Sequence, residues 1–359
     1  METFKEFINL LSRPMPYTIL TWAVFGLLIW KYRVISKPAV LWTFGLLTAA
    51  FLAVGAQDHD FLLIITKGDN MPIVIMIFSL LATLGLALRK AALNDMRIER
   101  GLGPVEAEES NKKVLVWPDL IYSEFICTIL LAALFIAWSV IVEAPLEEPA
   151  SGTRAPNPAK APWYFLGLQE MLVYYDPWLA GVVFPGLIVV GLMAIPYIDI
   201  NPKGNGYYTL KERPFAISMF LFGFLVLWVA LVILGTFLRG PNWNFFGPFD
   251  YWDPHKIEPL VNVNLAEYFW VRMLDTRLPD NIFLREAPGI VAVLAYFLIA
   301  PAILAKTVLK KFFDQMGFAR FSIMVMLLLL MAALPIKMIL RWTINLKYLV
   351  AIPEWFFNI

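Results

Sequence analysis

Cysteine and histidine are almost missing from this sequence, which holds one of the first, Cys127, and two of the second, His59 and His255. A single cysteine excludes an internal disulfide and any CxxC metal or haem-attachment motif. Both histidines sit in polar stretches, QDHDF and WDPHK. No pair of imidazoles therefore projects from apolar helices to hold a haem inside a membrane, and the residue clusters of a catalytic metal centre are lacking. His59, between Asp58 and Asp60, reads as a solvated interfacial residue, with a pH switch or metal ligand as the minor alternative. His255 reads as a turn residue or a contact to a partner. Charge is scarce as well: Asp, Glu, Lys and Arg make up 16% of residues, the net charge is +1, and no basic run points to nucleic acid. The N-terminus, METFKEFINLLSRPMP, lacks the ordered charged, apolar and small-residue regions of a signal peptide. It is expected to be retained as an interfacial amphipathic helix with Phe4, Phe7, Ile8 and Leu11 on one face.

Apolar residues fill the rest. They make up 60% of the chain, and mean hydropathy is +0.69. The expected fold class is all-α: a polytopic integral membrane protein with eight spans and short interfacial helices. The spans are Pro16–Ile35, Ala39–Gln57, Pro72–Leu88, Val114–Ile141, Leu179–Ile198, Phe215–Leu238, Pro288–Ala305 and Phe321–Met338. Two connections, Val142–Trp178 and Arg239–Ala287, are rich in proline and in the aromatic residues that favour a membrane interface, so both are expected to be ordered caps on one side. Arg89–Lys113 reads as a solvated boundary between modules. The expected division is a three-helix N-terminal module over residues 1–98, a connector over 99–113, a membrane module over 114–240, an outer aromatic loop over 241–287 and a two-helix module over 288–359. Basic residues are denser on the face that carries Arg89–Lys113. That face is therefore expected to be cytoplasmic, with both termini and both aromatic loops outside.

Carboxylates near or within apolar runs are costly and usually have a reason. Asp119 and Glu124 lie early in the fourth span, in VWPDLIYSEFICTILL. Pairing with Lys112 or Lys113 and an inner-side proton or quinone role are both open to them. Cys127, a turn beyond Glu124, reads as a small core residue. Glu170 belongs to a short helix expected over Pro162–Tyr175, where Trp163, Leu166, Glu170 and Val173 or Tyr174 share one face. There the carboxylate would accept a proton from a polar headgroup, point to water, or cap a neighbouring subunit.

These residues carry a resemblance. Within Val114–Leu238 the order is a span, an outer loop with Asn157-Pro158, the run Ala161-Pro162-Trp163-Tyr164-Phe165-Leu166, then Leu179-Ala180-Gly181-Val182 opening the next span, a basic inner loop and another span. This resembles the C-terminal half of cytochrome b and the separate subunit IV of plastoquinol-type complexes. Their motif Pro-Glu-Trp-Tyr is met here in register with Pro162 in place of the glutamate. The central third of the chain matches firmly, the part from Pro288 onwards loosely, and the first three spans not at all. The resemblance implies a subunit of a quinol:cytochrome c oxidoreductase, catalytic only within its complex. It implies a wall of the outer quinol-oxidation site at Pro162, Trp163, Tyr164, Phe165 and Leu166, and Glu170 as the candidate proton acceptor in place of the missing glutamate. It also implies haem b, haem c and a Rieske iron–sulfur cluster on partner subunits, namely a haem-binding cytochrome b-like chain, a Rieske protein and a c-type cytochrome. The substrate would be a quinol, with menaquinone the expected type and nothing in the residues fixing the ring; the location would be a bacterial inner membrane. Pro353-Glu354-Trp355-Phe356 imitates the missing motif but lacks the helix and span that should follow, and is expected to be an interfacial anchor. Two rivals stand beside this reading: a scaffold subunit with no working quinol site, and a transporter or proton channel using Asp119, Glu124 and Glu170.

Overall fold

The computed structural model describes residues 2–109, 113–142, 146, 149–203 and 206–359. Helices account for nearly all regular structure, and among the described residues the only paired strands are the short β1 (Ala351–Ile352) and β2 (Phe357–Asn358) near the C-terminus. The amphipathic start forms α1 (Glu2–Ser12), followed by α2 (Pro14–Trp30), α3 (Tyr32–Ile35), α4 (Pro38–Gly55), α5 (His59–Thr66), α6 (Met71–Glu99) and α7 (Val105–Glu109). Then come α8 (Val116–Ile141), the short α9 (Leu166–Met171), α10 (Leu179–Ile198), α11 (Pro214–Phe237), α12 (Ala287–Lys306) and α13 (Lys310–Ile344). Prolines open α2, α4, α6, α11 and α12, where the missing amide proton has no helical partner in any case. Asp58 caps α5 by accepting from the Phe61 amide at 2.9 Å. Within α13, Gly317 adopts φ 73° and breaks the helix just before the expected span.

Seven of these helices are long and apolar enough to cross a membrane, and α2 adds an eighth apolar helix of 17 residues. The chain is a multi-pass membrane protein. All eight expected spans lie on these helices. One difference concerns Arg89–Lys113, where the sequence suggests a solvated boundary. Instead α6 continues through Glu99 with Ala91, Ala92, Asn94 and Asp95 buried. Asp95 accepts from the Tyr32 hydroxyl (2.7 Å), from the Thr209 hydroxyl and from the amides of Leu210 (3.1 Å) and Lys211 (3.0 Å). Asn94 donates to the Tyr208 carbonyl at 2.9 Å. Two polar side chains of this stretch, Asn94 and Asp95, are thus buried because they satisfy the backbone of the loop before α11.

The opposite end of the bundle is tied in the same way. Asn9 of α1 donates to Asp250 (2.6 Å) and accepts from the Phe249 amide (3.0 Å). Phe249 stacks on Phe61 with ring centroids 5.0 Å apart, and Lys5 pairs with Asp58 at 2.7 Å. The first helices are therefore packed on the rest of the chain at both ends. The aromatic loop after Arg239 is an ordered cap, with Phe246 and Phe249 buried. By contrast, no residue of α8 is buried against this chain.

Candidate functional site

The stretch Ala159–Tyr175 is held by its ends and by its underside. Gln169 bonds back along the chain, accepting from the Ala161 amide and donating to the Ala159 carbonyl, each at 2.8 Å. Trp163–Phe165 form a single 3₁₀ turn, closed by the Phe165 amide on the Pro162 carbonyl at 2.8 Å, and α9 follows directly. The helix is shorter than the expected Pro162–Tyr175, since Tyr174 lies in the turn after Met171, yet Leu166, Glu170 and Tyr174 are all buried. It packs on the last turns of α11, where glycine lets the backbones approach. A Cβ on Gly235 would stand 3.3 Å from the Leu166 carbonyl oxygen, and one on Gly167 3.4 Å from that of Trp228.

The other face is open. Tyr164 and Phe165 are about half exposed, at 49% and 50%, and Pro162 is exposed too. Their rings lie 4.8 Å apart, and Trp163 meets Tyr164 edge-on at 5.7 Å. Trp163 also leans on Trp228 of α11, with centroids 6.4 Å apart. A firmly seated turn thus presents two half-exposed aromatic rings at one end of the helical bundle.

Glu170 lies beneath this turn, not on its surface. Its exposure is 0%, and Arg239 grips both carboxylate oxygens, Nη2 at 2.6 Å and Nε at 3.0 Å. The remaining Nη1 of Arg239 donates to the Trp243 carbonyl at 3.0 Å. The carboxylate therefore neither points to water nor caps another subunit. The two-pronged geometry matches a guanidinium to a carboxylate and satisfies charge that would be expensive to bury alone. Opposite it, Lys160 donates to the Thr236 carbonyl at 2.7 Å and lies over the Trp252 ring at 4.9 Å. Burial, with Lys67 adding to it, pushes the Lys160 ammonium down to about 7. Asn157 and Asn242 lock the two aromatic-rich loops together, with bonds of 2.6 and 3.0 Å.

The other candidate residues lie elsewhere. Asp119 and Glu124 sit exposed on α8, at the end of the bundle opposite Glu170, and form no ion pair among the described residues; Lys112 lies outside those residues. Cys127 is exposed rather than in a core, because no residue of α8 is buried against the described residues of this chain. His59 begins α5 and is exposed; His255 is exposed with its Nδ1 3.5 Å from Asp253. Glu354 of the imitation motif is taken by Arg285 at 3.0 Å, and Phe356 is 88% exposed, as an interfacial anchor would be. Three cations that the fold engages, Arg239, Lys160 and Lys337, do not stand out in the sequence. Arg239 reads only as the first loop residue after an apolar run, and Lys160 as one cation among prolines. Lys337 is 3% exposed within α13, donates to the Lys347 carbonyl at 2.7 Å and faces the rings of Tyr175 and Tyr348. A lysine inside LPIKMIL is the signal that could have found it.

A family model described as Cytochrome b(C-terminal)/b6/petD matches residues 149–249. That stretch is similar to the C-terminal domain of cytochrome b. The matched residues hold the 3₁₀ turn, α9, α10, α11 and the start of the aromatic cap, including Glu170 and Arg239, and they amount to less than a third of the chain. No solved structure matches the chain. The cytochrome b-like stretch thus coincides with the aromatic turn and its buried ion pair, while α1–α8 and α12–α13 lie outside it.

Proposed function

We propose that this chain is a subunit IV-like component of a quinol:cytochrome c oxidoreductase and supplies one wall of its outer quinol-oxidation site. The observation that carries this reading is the exposed pair Tyr164 and Phe165 on a turn anchored from below, inside the residues similar to cytochrome b. Flat aromatic faces on a rigid backbone suit a quinone ring, which gains by stacking and by leaving water. Exposed Pro162 and half-buried Trp163 extend the wall, while Leu166, 3% exposed against α11, supports it from beneath. The quinol we assign is menaquinol. Electrons then pass to a Rieske cluster and to haems b and c, all on partner subunits: a cytochrome b-like chain, a Rieske protein and a c-type cytochrome. The setting is a bacterial inner membrane with both termini periplasmic.

Within this proposal Glu170 acts as a positioning residue. Its two oxygens are already engaged, so the ion pair with Arg239 fixes α9 and the aromatic cap relative to α11. Asp119 and Glu124 would need residues of another subunit to complete an inner proton or quinone site. Purification in mild detergent with absorption spectroscopy tests the assignment. Co-purifying b- and c-type haems are expected; a colourless chain would overturn it. A second reading, a scaffold with no quinol chemistry, is favoured by the sealed state of Glu170 and by proline at the motif position. It predicts coloured complexes whose quinol turnover ignores every substitution at Tyr164 and Phe165.

A further inference from the structure

At the end of the bundle opposite the aromatic turn, a cavity of about 580 Å³ opens between the first helices and the loop before α11. Its walls come from the α2–α3 corner, from Glu99 at the end of α6, and from Lys211 and Pro214. Three cations line it, Lys31, Arg33 and Lys211, against one carboxylate, Glu99. Arg33 binds Glu99 through two nitrogens, at 2.7 and 3.1 Å, and Lys211 reaches the same carboxylate at 2.6 Å. Asp95 does not add to the negative charge of the opening, since it lies buried behind Tyr32, holding backbone amides. The lining therefore carries two more positive charges than negative ones. Lys31 has no carboxylate on it among the described residues; its ammonium rests 3.9 Å above the ring of Trp30, which is 74% exposed.

The cavity lies where the apolar helix α2 ends, the depth at which tryptophan and lipid headgroups meet. Leu20, Val24 and Leu27, spaced four and three residues apart and therefore on one helix face, are each about half exposed and run towards Lys31. A bare anion would use the cations but not this apolar track. The geometry points to an anionic phospholipid as the occupant: its phosphate diester on Lys31, Arg33 and Lys211, its acyl chain along α2. A basic pocket between transmembrane helices is a recurrent way of holding such headgroups. Because Arg33 belongs to α3 and Lys211 to the cytochrome b-like stretch, the bound lipid also fastens the first helices to that stretch.

Native mass spectrometry of the purified complex, titrated with phosphatidylglycerol, phosphatidylcholine or inorganic phosphate, tests this. Phosphatidylglycerol should bind and raise the thermal midpoint; the other two should do neither. Lys31→Gln should weaken phosphatidylglycerol roughly fivefold, the effect of one interfacial cation, and leave the lipid-free midpoint unchanged because its amine holds no ion pair. Lys31→Arg should retain binding. Equal binding of phosphatidylcholine, an unaltered affinity in Lys31→Gln, or a loss shared by Lys31→Arg would overturn the proposal. Stabilisation by inorganic phosphate alone would overturn the assignment to a lipid.

Discussion

Glu170 and Arg239 form a buried ion pair that joins α9 to the end of α11. A buried charge left without its partner costs far more than the pair itself is worth, so Glu170→Gln or Arg239→Met should each lower stability by roughly 3–5 kcal/mol. The double variant Glu170→Met/Arg239→Met, which leaves no orphan charge, should recover most of that loss in thermal unfolding of the detergent-purified complex. Were Glu170 the proton acceptor, Glu170→Gln would instead shift the pH profile of turnover while leaving stability intact. Lys160 gives a second test. Its folded value of about 7 lies below its ordinary 10.5. Between those limits the unfolded chain binds the extra proton, so the lysine's penalty is full below pH 7 and fades as pH rises towards 10.5. The thermal midpoint should therefore rise from pH 7 to 9 relative to Lys160→Met, in which this contribution is absent. Sequence spacing puts the carboxylate on the buried side of the short helix, with Leu166 one turn before it. It could not reveal what covers that face: Arg239 is 69 residues away, and only the fold brings its fork to the carboxylate.

Among the elements, α9 depends on α11 more than on its own six residues, too few for a stable isolated helix. Gly235 and Gly167 permit the contact. Gly235→Val should therefore push the Trp163–Phe165 turn outwards, loosen it to proteolysis and depress turnover, while Gly26→Val on α2, where a Cβ meets nothing within 4 Å, should leave both unchanged. Gly289 plays the same part for the C-terminal segment, since a Cβ there would collide with the Leu349 carbonyl. Gly289→Ala should detach β1, whose Ala351 amide is held by the buried Glu286 at 2.9 Å. The spans were legible because twenty-odd apolar residues between polar loops leave a helix as the way to satisfy the backbone in lipid. The continuation of α6 through Glu99 was not legible. Asn94 and Asp95 look solvated until the loop that they serve, more than a hundred residues later, is in place.

For the molecule as a whole, the first helices act as a clamp. They reach the aromatic cap through Asn9 and the loop before α11 through Asp95, on opposite ends of the same bundle. Helix α8 does the reverse, leaving its whole apolar surface for lipid or other subunits. The function proposed above, a surface for the quinol in a complex whose redox groups sit on neighbouring chains, makes use of that build. That claim is tested most directly by quinol-dependent reduction of cytochrome c in the purified complex carrying Tyr164→Ala/Phe165→Ala, read beside its haem spectrum. An intact spectrum with turnover lowered roughly tenfold or more is expected, as loss of a positioning surface entails. Unchanged turnover with an intact spectrum would contradict it.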